Sequence, residues 1–587
     1  MHLLDKYMCR AATLFWILLC MSFTIDTRLF VYPSLSQSLL GEVVILLLNI
    51  LVLVHCLLHR TRLLTHRLQW FILAWMAFLW LHSVLIADAE VYKLSYALSM
   101  LSLLITLPYL LRQGFFSERS LENGILLMVV IQLLYLLLQW IGEMDSVNHF
   151  FPLTGTNDNP NVTAILLAVS LPMLFHRHRT GLLGVMYIVI ILLVFIFLIA
   201  LKCRTAYIAL VVILVLSRLK SGKVKIFISG LGRLKAIILL LGVSIVLLLA
   251  AYGLYWLKPA SANGRLLIWK ISALMISEHP MGIGIGMFEH DYNLRQGLYF
   301  ESGAASESEQ QTADIVCMAY NDYLEQGVET GIIGILFLVA FYASVLWLAL
   351  REHEIAHLGM IVAFAIMSTM NFVCATMQPW LVLTMVASLC LSSVEGNVKR
   401  PSNDNLPVSL IALCLCLWGG THICRLTLSQ LKLNRLKEIV KHRGDIDIAE
   451  ASALALPIGT SEAYWRFMYK QYFQRKEYDK ALACIRTASQ YTTSTYVWFS
   501  QFYCLDCMGR PEEGIPCIEQ VRNMIPQNLT SRHILLNWYH RQDDTLQALR
   551  MAEEIVNIPV KVRSERALSL QDNAMKYIKM HQIKYKR

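Results

Sequence analysis

Charge is what this sequence has least of. Only 16% of its 587 residues are Asp, Glu, Lys or Arg, while 56% are hydrophobic, and the mean hydropathy is +0.53. A water-facing surface for a soluble chain of this length cannot be built from so few charges, so a soluble globular protein is excluded. Zinc-ligand spacing is also missing around the CxxC of the tail. Cys504 and Cys507 form CxxC, but no second Cys or His pair stands near it, which argues against a zinc module. Of the 14 cysteines, Cys20, Cys56, Cys203, Cys374, Cys390, Cys414 and Cys416 lie inside apolar runs and read as small core residues. A dinucleotide fingerprint is absent: the glycines at 282, 284 and 286 are spaced GxGxG, outside any alternating strand–helix unit. No short apolar segment with a small-residue cleavage site follows Met1 to Arg10, so the first apolar run is expected to stay in the membrane.

What is abundant is apolar sequence of spanning length. The runs predict an all-α polytopic membrane protein of about thirteen helices. They fall near 11–25, 38–58, 68–87, 91–111, 121–141, 161–175, 181–201, 204–217, 236–257, 331–350, 357–375, 379–394 and 407–424. The loops between them sort by charge. "HRTRLLTHR" (59–67), "RQGFFSER" (112–119), "HRHR" (176–179) and "RLKSGKVKIFISGLGRLK" (218–235) are basic. They alternate with "ADAE" (87–90) and the long loop 142–161. By the positive-inside rule the basic loops and the N-terminus are cytoplasmic. An odd number of spans then places the loop from Lys258 and the tail beyond Arg425 on the far side. The net charge of +10 is accounted for by topology and contact with anionic membrane lipids, without nucleic acid. The expected parts are 1–257 and 331–424 in the membrane, a large external loop at 258–330, and an external domain at 425–587.

From about Glu438 the composition turns soluble. "EYDKALACIRTASQY" (477–491), "RPEEGIPCIEQVRNMIPQN" (510–528) and "DDTLQALRMAEEIVNIP" (543–559) resemble one another. Aligning Ala481, Gly514 and Ala548 gives spacings of 33 and 34 residues, the tetratricopeptide period of two helices per repeat. Stacked pairs offer a concave face to a partner, or serve only as scaffold. In an oxidising compartment a disulfide among Cys484, Cys504, Cys507 and Cys517 is an available outcome.

Polar residues at the membrane edge are costly and mark function. Four stretches on the expected outer face carry them. In "LTGTNDNPNVTA" (153–164), Asn159 and Asn161 lead into a helix, as caps or as a substrate-facing loop. In "LKCRTAYIAL" (201–210), Arg204 interrupts nearly continuous apolar sequence beside Lys202, for topology or to hold an anion. In "ANGRLLIWKISALMISEHPMGIGIGMFEHDYN" (262–293), Arg265, Leu266, Ile268, Trp269, Ser272 and Met275 suggest an amphipathic helix. Its Gly284 and Gly286 permit a sharp turn beside a bound group. His279 and His290 are candidate bases or structural histidines. In "MAYNDYLEQGVETGIIG" (318–334), Tyr320, Asn321, Asp322, Glu325 and Glu329 open a helix about to enter lipid.

In this order, the four stretches resemble the O-antigen ligase family of membrane glycosyltransferases, which includes protein O-oligosaccharyltransferases. The resemblance covers roughly residues 150–390, through "GTNDNPNVTA", "KCRTAYIAL", "GRLLIWKISALMISEHPMGIGIGMF" and "AYNDYLEQGVETGIIG". It implies transfer of a preassembled glycan from an undecaprenyl diphosphate carrier to a lipid or protein acceptor. No metal, cofactor or nucleotide sugar is implied, and the site lies at the periplasmic face of a bacterial inner membrane. The resemblance assigns Arg204 and Arg265, with Lys202, to the diphosphate, because the guanidinium fork binds phosphate oxygens and stays charged. Asn159, Asn161, Gly284 and Gly286 shape the substrate loops, and Tyr320, Asn321, Glu325 and His279 are the catalytic candidates. The chain departs from the family at Tyr320, where many relatives carry His. A phenol with a reference pKa of ~10 is a poor base at neutral pH, which leaves Glu325, His279 or Asp322 to take the acceptor's proton. A glycan-repeat polymerase of the same superfamily needs the same arginines. A transporter or scaffold is disfavoured, because the long spans are nearly free of charge and no repeated halves stand out.

Overall fold

A computed structural model describes residues 2–25, 33–86, 89–148, 150–176, 181–219, 259–352, 354–395, 406–444, 446–560 and 564–585. Within them the regular structure is helical and there is no strand, so the protein is an all-α polytopic membrane protein. Eight of the described helices are long and apolar enough to cross a membrane. Three of the shorter expected runs form helices below spanning length, at Pro160–Phe175, Arg204–Leu216 and Ile355–Ser368. The first run lies in a helix that begins with Asp5, Lys6 and Arg10 and is not among the eight. The expected span 236–257 lies outside the described residues, as do nearly all of the basic loop 218–235 and most of 176–179.

The chain divides into two compact units. The first comprises 1–256, 284–286 and 320–444. Its helices are α1 (His2–Ser22), α2 (Pro33–His59), α3 (Arg67–Leu85), α4 (Val91–Arg112), α5 (Glu118–Trp140), α6 (Pro160–His176), α7 (Gly181–Leu201) and α8 (Arg204–Leu219). The second unit contributes α9 (Pro259–Glu278), α10 (Phe288–Glu301) and α11 (Glu307–Thr312). The first resumes with α12 (Asp322–Glu352), α13 (Ile355–Ser368), α14 (Met377–Glu395) and α15 (Leu406–Arg443). In this unit α2 packs on α1, α4 and α15, α8 packs on α13, and α14 packs on α4 and α12. One continuous apolar cluster runs through it, from Met8 and Trp16 to Phe364 and Leu391. Burial separates centre from rim: 78% of the α14 window is buried, against 17% for α7. α7 therefore presents most of its Leu and Ile surface outward, as a lipid-facing helix does.

The second unit joins 257–283 and 287–319 to 445–587. Its C-terminal part holds the short helices α16 (Ile448–Ser452) and α17 (Ala455–Ile458), then successive pairs. These are α18 (Glu462–Gln474) with α19 (Tyr478–Ala488), α20 (Thr495–Cys507) with α21 (Ile515–Met524), and α22 (Leu529–Arg541) with α23 (Thr545–Asn557), followed by α24 (Glu565–Tyr585). Ala481 and Ala548 are fully buried. A Cβ on Gly514 would stand 2.9 Å from the Phe502 ring, so small residues at this position allow close helix approach. Cys484, Cys504, Cys507 and Cys517 are all free thiols, and the disulfide allowed from sequence is not formed. α10 packs against α21. Leu294 and Ile315 lie on the small core of Val521, Met524 and Ile525, and buried Gln296 donates to the Asp314 and Met524 carbonyls (3.1 and 2.8 Å). The helices α9 to α11 are thus built into the same unit as the tail.

Candidate active site

Two of the four polar stretches meet on one short connector, "TMNFVCAT" (369–376), between α13 and α14, and a third is tied to Gln378 in the first turn of α14. Buried polar groups must be paired, and here the pairing is between distant parts of the chain. Asn371, fully buried, donates through Nδ2 to Thr205 Oγ1 (3.0 Å) in the first turn of α8. The next residue, Phe372, meets the Tyr320 ring edge-on, with centroids 5.6 Å apart. The N–H groups of Val373 and Cys374 donate to the Asp322 carboxylate (3.0 and 3.2 Å). Just beyond, Gln378 Oε1 accepts from Gln132 (3.0 Å) and from Asn157 (3.2 Å), while its Nε2 donates to the Phe23 carbonyl (2.7 Å). The connector thereby fixes the start of α8 and the start of α12, and the first turn of α14 holds the loop 153–161.

Arg204 is the first residue of α8 and is half-buried. It stands at the helix end whose positive pole favours an anion. Lys202, exposed, precedes it in the left-handed region at φ 52°. Asn159 Oδ1 accepts from the Asn161 N–H (2.9 Å) at the start of α6, so the cap reading holds for this pair.

At the start of α12 the backbone is strained. Tyr320 takes φ 51°, uncommon for an aromatic residue and typical of sites held by their surroundings. Asn321 then caps the helix, its Oδ1 accepting from the N–H of Tyr323 (3.0 Å) and Leu324 (3.1 Å). With Asn321 capping and Asp322 tied to the connector, neither side chain is placed as a base. Glu325 follows one turn later and is buried. α12 breaks at Gly331 (φ 72°, ψ −168°), so the acidic segment is a separate short helix before the span. Only glycine adopts that conformation readily.

The glycine stretch is seated beside this break. The Gly284 N–H donates to the Glu329 carbonyl (3.0 Å), and the Glu90 N–H to the Ile285 carbonyl (2.8 Å). Gly286 has φ +85°, and a Cβ there would lie 2.5 Å from Glu90 Cβ. Lys93 Nζ stands 3.6 Å from the buried Glu329 Oε1.

Arg265 and His279 belong to the second unit. Arg265 is half-buried on α9, whose buried face is Leu267, Ile268, Ile271 and Met275, with Leu266 exposed. Trp269 Nε1 donates to the Ala319 carbonyl (3.2 Å). His279 is exposed at the end of α9, and His290 pairs with Asp291 (2.7 Å). Sequence reasoning overlooked Asn371, Gln378 and Gln132. The available signal was two amide side chains bracketing a short apolar run, in a membrane chain where such groups need partners.

Residues 162–339 match the family model described as O-antigen ligase. The match starts in the first turn of α6 and ends inside α12, so it contains the second, third and fourth stretches and stops before the connector. No curated protein matches the chain.

Proposed function

We propose, from the match of residues 162–339 to the O-antigen ligase family model, that the protein transfers a preassembled glycan from a polyprenyl diphosphate to an acceptor hydroxyl or sugar at the periplasmic face of the inner membrane. In this reaction the acceptor oxygen attacks the anomeric carbon and forms the new glycosidic bond. The bond from that carbon to the phosphate oxygen breaks, and the diphosphate leaves with its electron pair. The acceptor's proton passes to a carboxylate.

Arg204 is proposed to bind the leaving diphosphate. The observation that supports this most is the connector: Asn371 holds the residue next to Arg204, and Phe372 to Cys374 hold the Tyr320–Asp322 turn. A cation and an acidic, aromatic turn are thereby kept in fixed register, which is the preorganisation that transition-state charge requires. Glu325, buried one turn into α12, is proposed as the proton acceptor, since Tyr320 is a phenol and Asn321 an amide. Tyr320 is proposed to orient the acceptor. Arg265 keeps the diphosphate role implied by the resemblance.

The test is glycan transfer by purified protein with a polyprenyl-diphosphate oligosaccharide, adding lipid, protein and glycan acceptors one at a time. Arg204→Ala and Arg265→Ala are each expected to lose transfer. Full activity in Arg204→Ala would overturn the assignment, and the acceptor that becomes labelled separates ligase from polymerase.

A further inference from the structure

A second set of converging side chains lies at the opposite end of α2 from Pro33, where the basic loop 59–67 begins. We propose that Asp5, His55 and His59 form a binding site for one divalent transition-metal ion of the zinc class, clamping α1 to α2. Nothing in the glycan-transfer reading uses these residues.

His55 and His59 are four apart on α2, so both lie on the face that meets α1. Asp5 approaches from the first turn of α1. One donor atom from each of the three falls within 4.8 Å of the others. Two imidazoles and one carboxylate are a donor set for zinc-class ions rather than Mg²⁺ or Ca²⁺, which take oxygen ligands.

Two further observations distinguish this cluster from a chance meeting of polar groups. First, His55 Nδ1 lies 2.5 Å from the Tyr109 hydroxyl, which in turn lies 2.6 Å from Thr61 Oγ1. With the proton on Nδ1, His55 donates to Tyr109 and Tyr109 donates to Thr61, leaving the Nε2 lone pair for an ion. Such an outer partner is what fixes the tautomer of a metal-binding histidine. Second, His59 Nε2 and Asp5 Oδ1 are both buried, and neither makes a hydrogen bond, although they stand 2.8 Å apart. The two atoms face each other as an ion pair, and neither has a hydrogen-bond partner beyond that contact. The imidazoles stack at 4.3 Å and 23°, so loading turns the His59 ring toward the His55 edge.

The other such group among the described residues, Glu352, His357 and Cys390, differs in this respect. Glu352 already accepts from Ser393 (2.8 Å) and pairs with His357 (3.0 Å). The other His357 nitrogen faces Glu118 at 3.9 Å. There the carboxylate and both imidazole nitrogens have several partners, whereas Asp5 Oδ1 and His59 Nε2 face only each other.

The test uses full-length protein in detergent, stripped with chelator and titrated with Zn²⁺, with Co²⁺ as the visible probe. Wild type is expected to bind one equivalent more than His59→Gln or Asp5→Asn. It should also show a four-coordinate Co²⁺ absorption band and a Zn²⁺-dependent rise in Tm that both variants lack. Tyr109→Phe should weaken Zn²⁺ binding roughly tenfold to a hundredfold, and His442→Gln, at an exposed unrelated histidine, should bind as wild type does. Equal stoichiometry and affinity in wild type and His59→Gln would overturn the proposal. If His59→Gln fails to fold, the near-isosteric Asp5→Asn decides by the same comparison.

Discussion

The diphosphate of a lipid carrier asks for a cation that cannot lose its proton, and Arg204 is such a cation at the positive end of a helix. Arg204→Ala is expected to lower the transfer rate about a hundredfold or more, the usual cost of removing one preorganised donor to developing charge. Arg204→Lys keeps the charge and loses the fork, so its rate should fall between wild type and alanine. Single-turnover transfer with saturating carrier distinguishes the three. Tyr320 calls for a different readout. If it orients the acceptor, Tyr320→Phe should raise KM for the acceptor while leaving kcat and its pH profile near wild type. The sequence exposed these two residues because an arginine within apolar sequence and a tyrosine in a family motif are visible one at a time. It could not expose Asn371 or Gln378, whose importance comes from partners 166 and 221 residues away.

Helix ends and breaks, rather than helix interiors, position this site. Asp322 closes the start of α12 onto the connector, so Asp322→Ala leaves one buried and one partly buried N–H group unpaired. Thermal unfolding in detergent should show a loss of about 2 to 6 kcal/mol, at ~1–3 for each orphaned donor. Asp322→Asn retains a carbonyl acceptor and should lose less. Gly286→Ala meets both a positive φ and the Glu90 side chain, so it is expected to lower Tm and loosen the seat beside α12. The resemblance assigned these glycines to a substrate loop. Their visible work is to bring the backbone against α4 and the Gly331 break, a close approach that composition alone does not reveal.

Apolar runs and charge alternation made the polytopic, all-helical class legible. The grouping of parts was not, because it depends on contacts far apart in the chain. Residues 257–283 and 287–319 interrupt the membrane helices in sequence yet form one unit with 445–587. Gln296 and the Leu294–Met524 contact join the two stretches, so Gln296→Leu should raise protease cleavage within 259–319 while leaving the membrane helices intact. The same unit carries a pH signature. Burial pushes the Glu309 carboxyl up, but hydrogen bonds from Lys270, Ser306 and Tyr299 outweigh it and hold the group at about 2. Its folded value lies below the ordinary 4.5, so the stabilisation is complete above pH 4.5 and disappears as pH falls toward 2. Unfolding of Glu309→Gln should therefore show a weaker acid dependence than wild type across that window.

Glycan transfer by purified wild type and Arg204→Ala, on one polyprenyl-diphosphate oligosaccharide, bears most directly on the proposed chemistry. The account predicts labelled acceptor with wild type and nearly none with the variant, both folded to the same Tm. Equal labelling by the two proteins would contradict it.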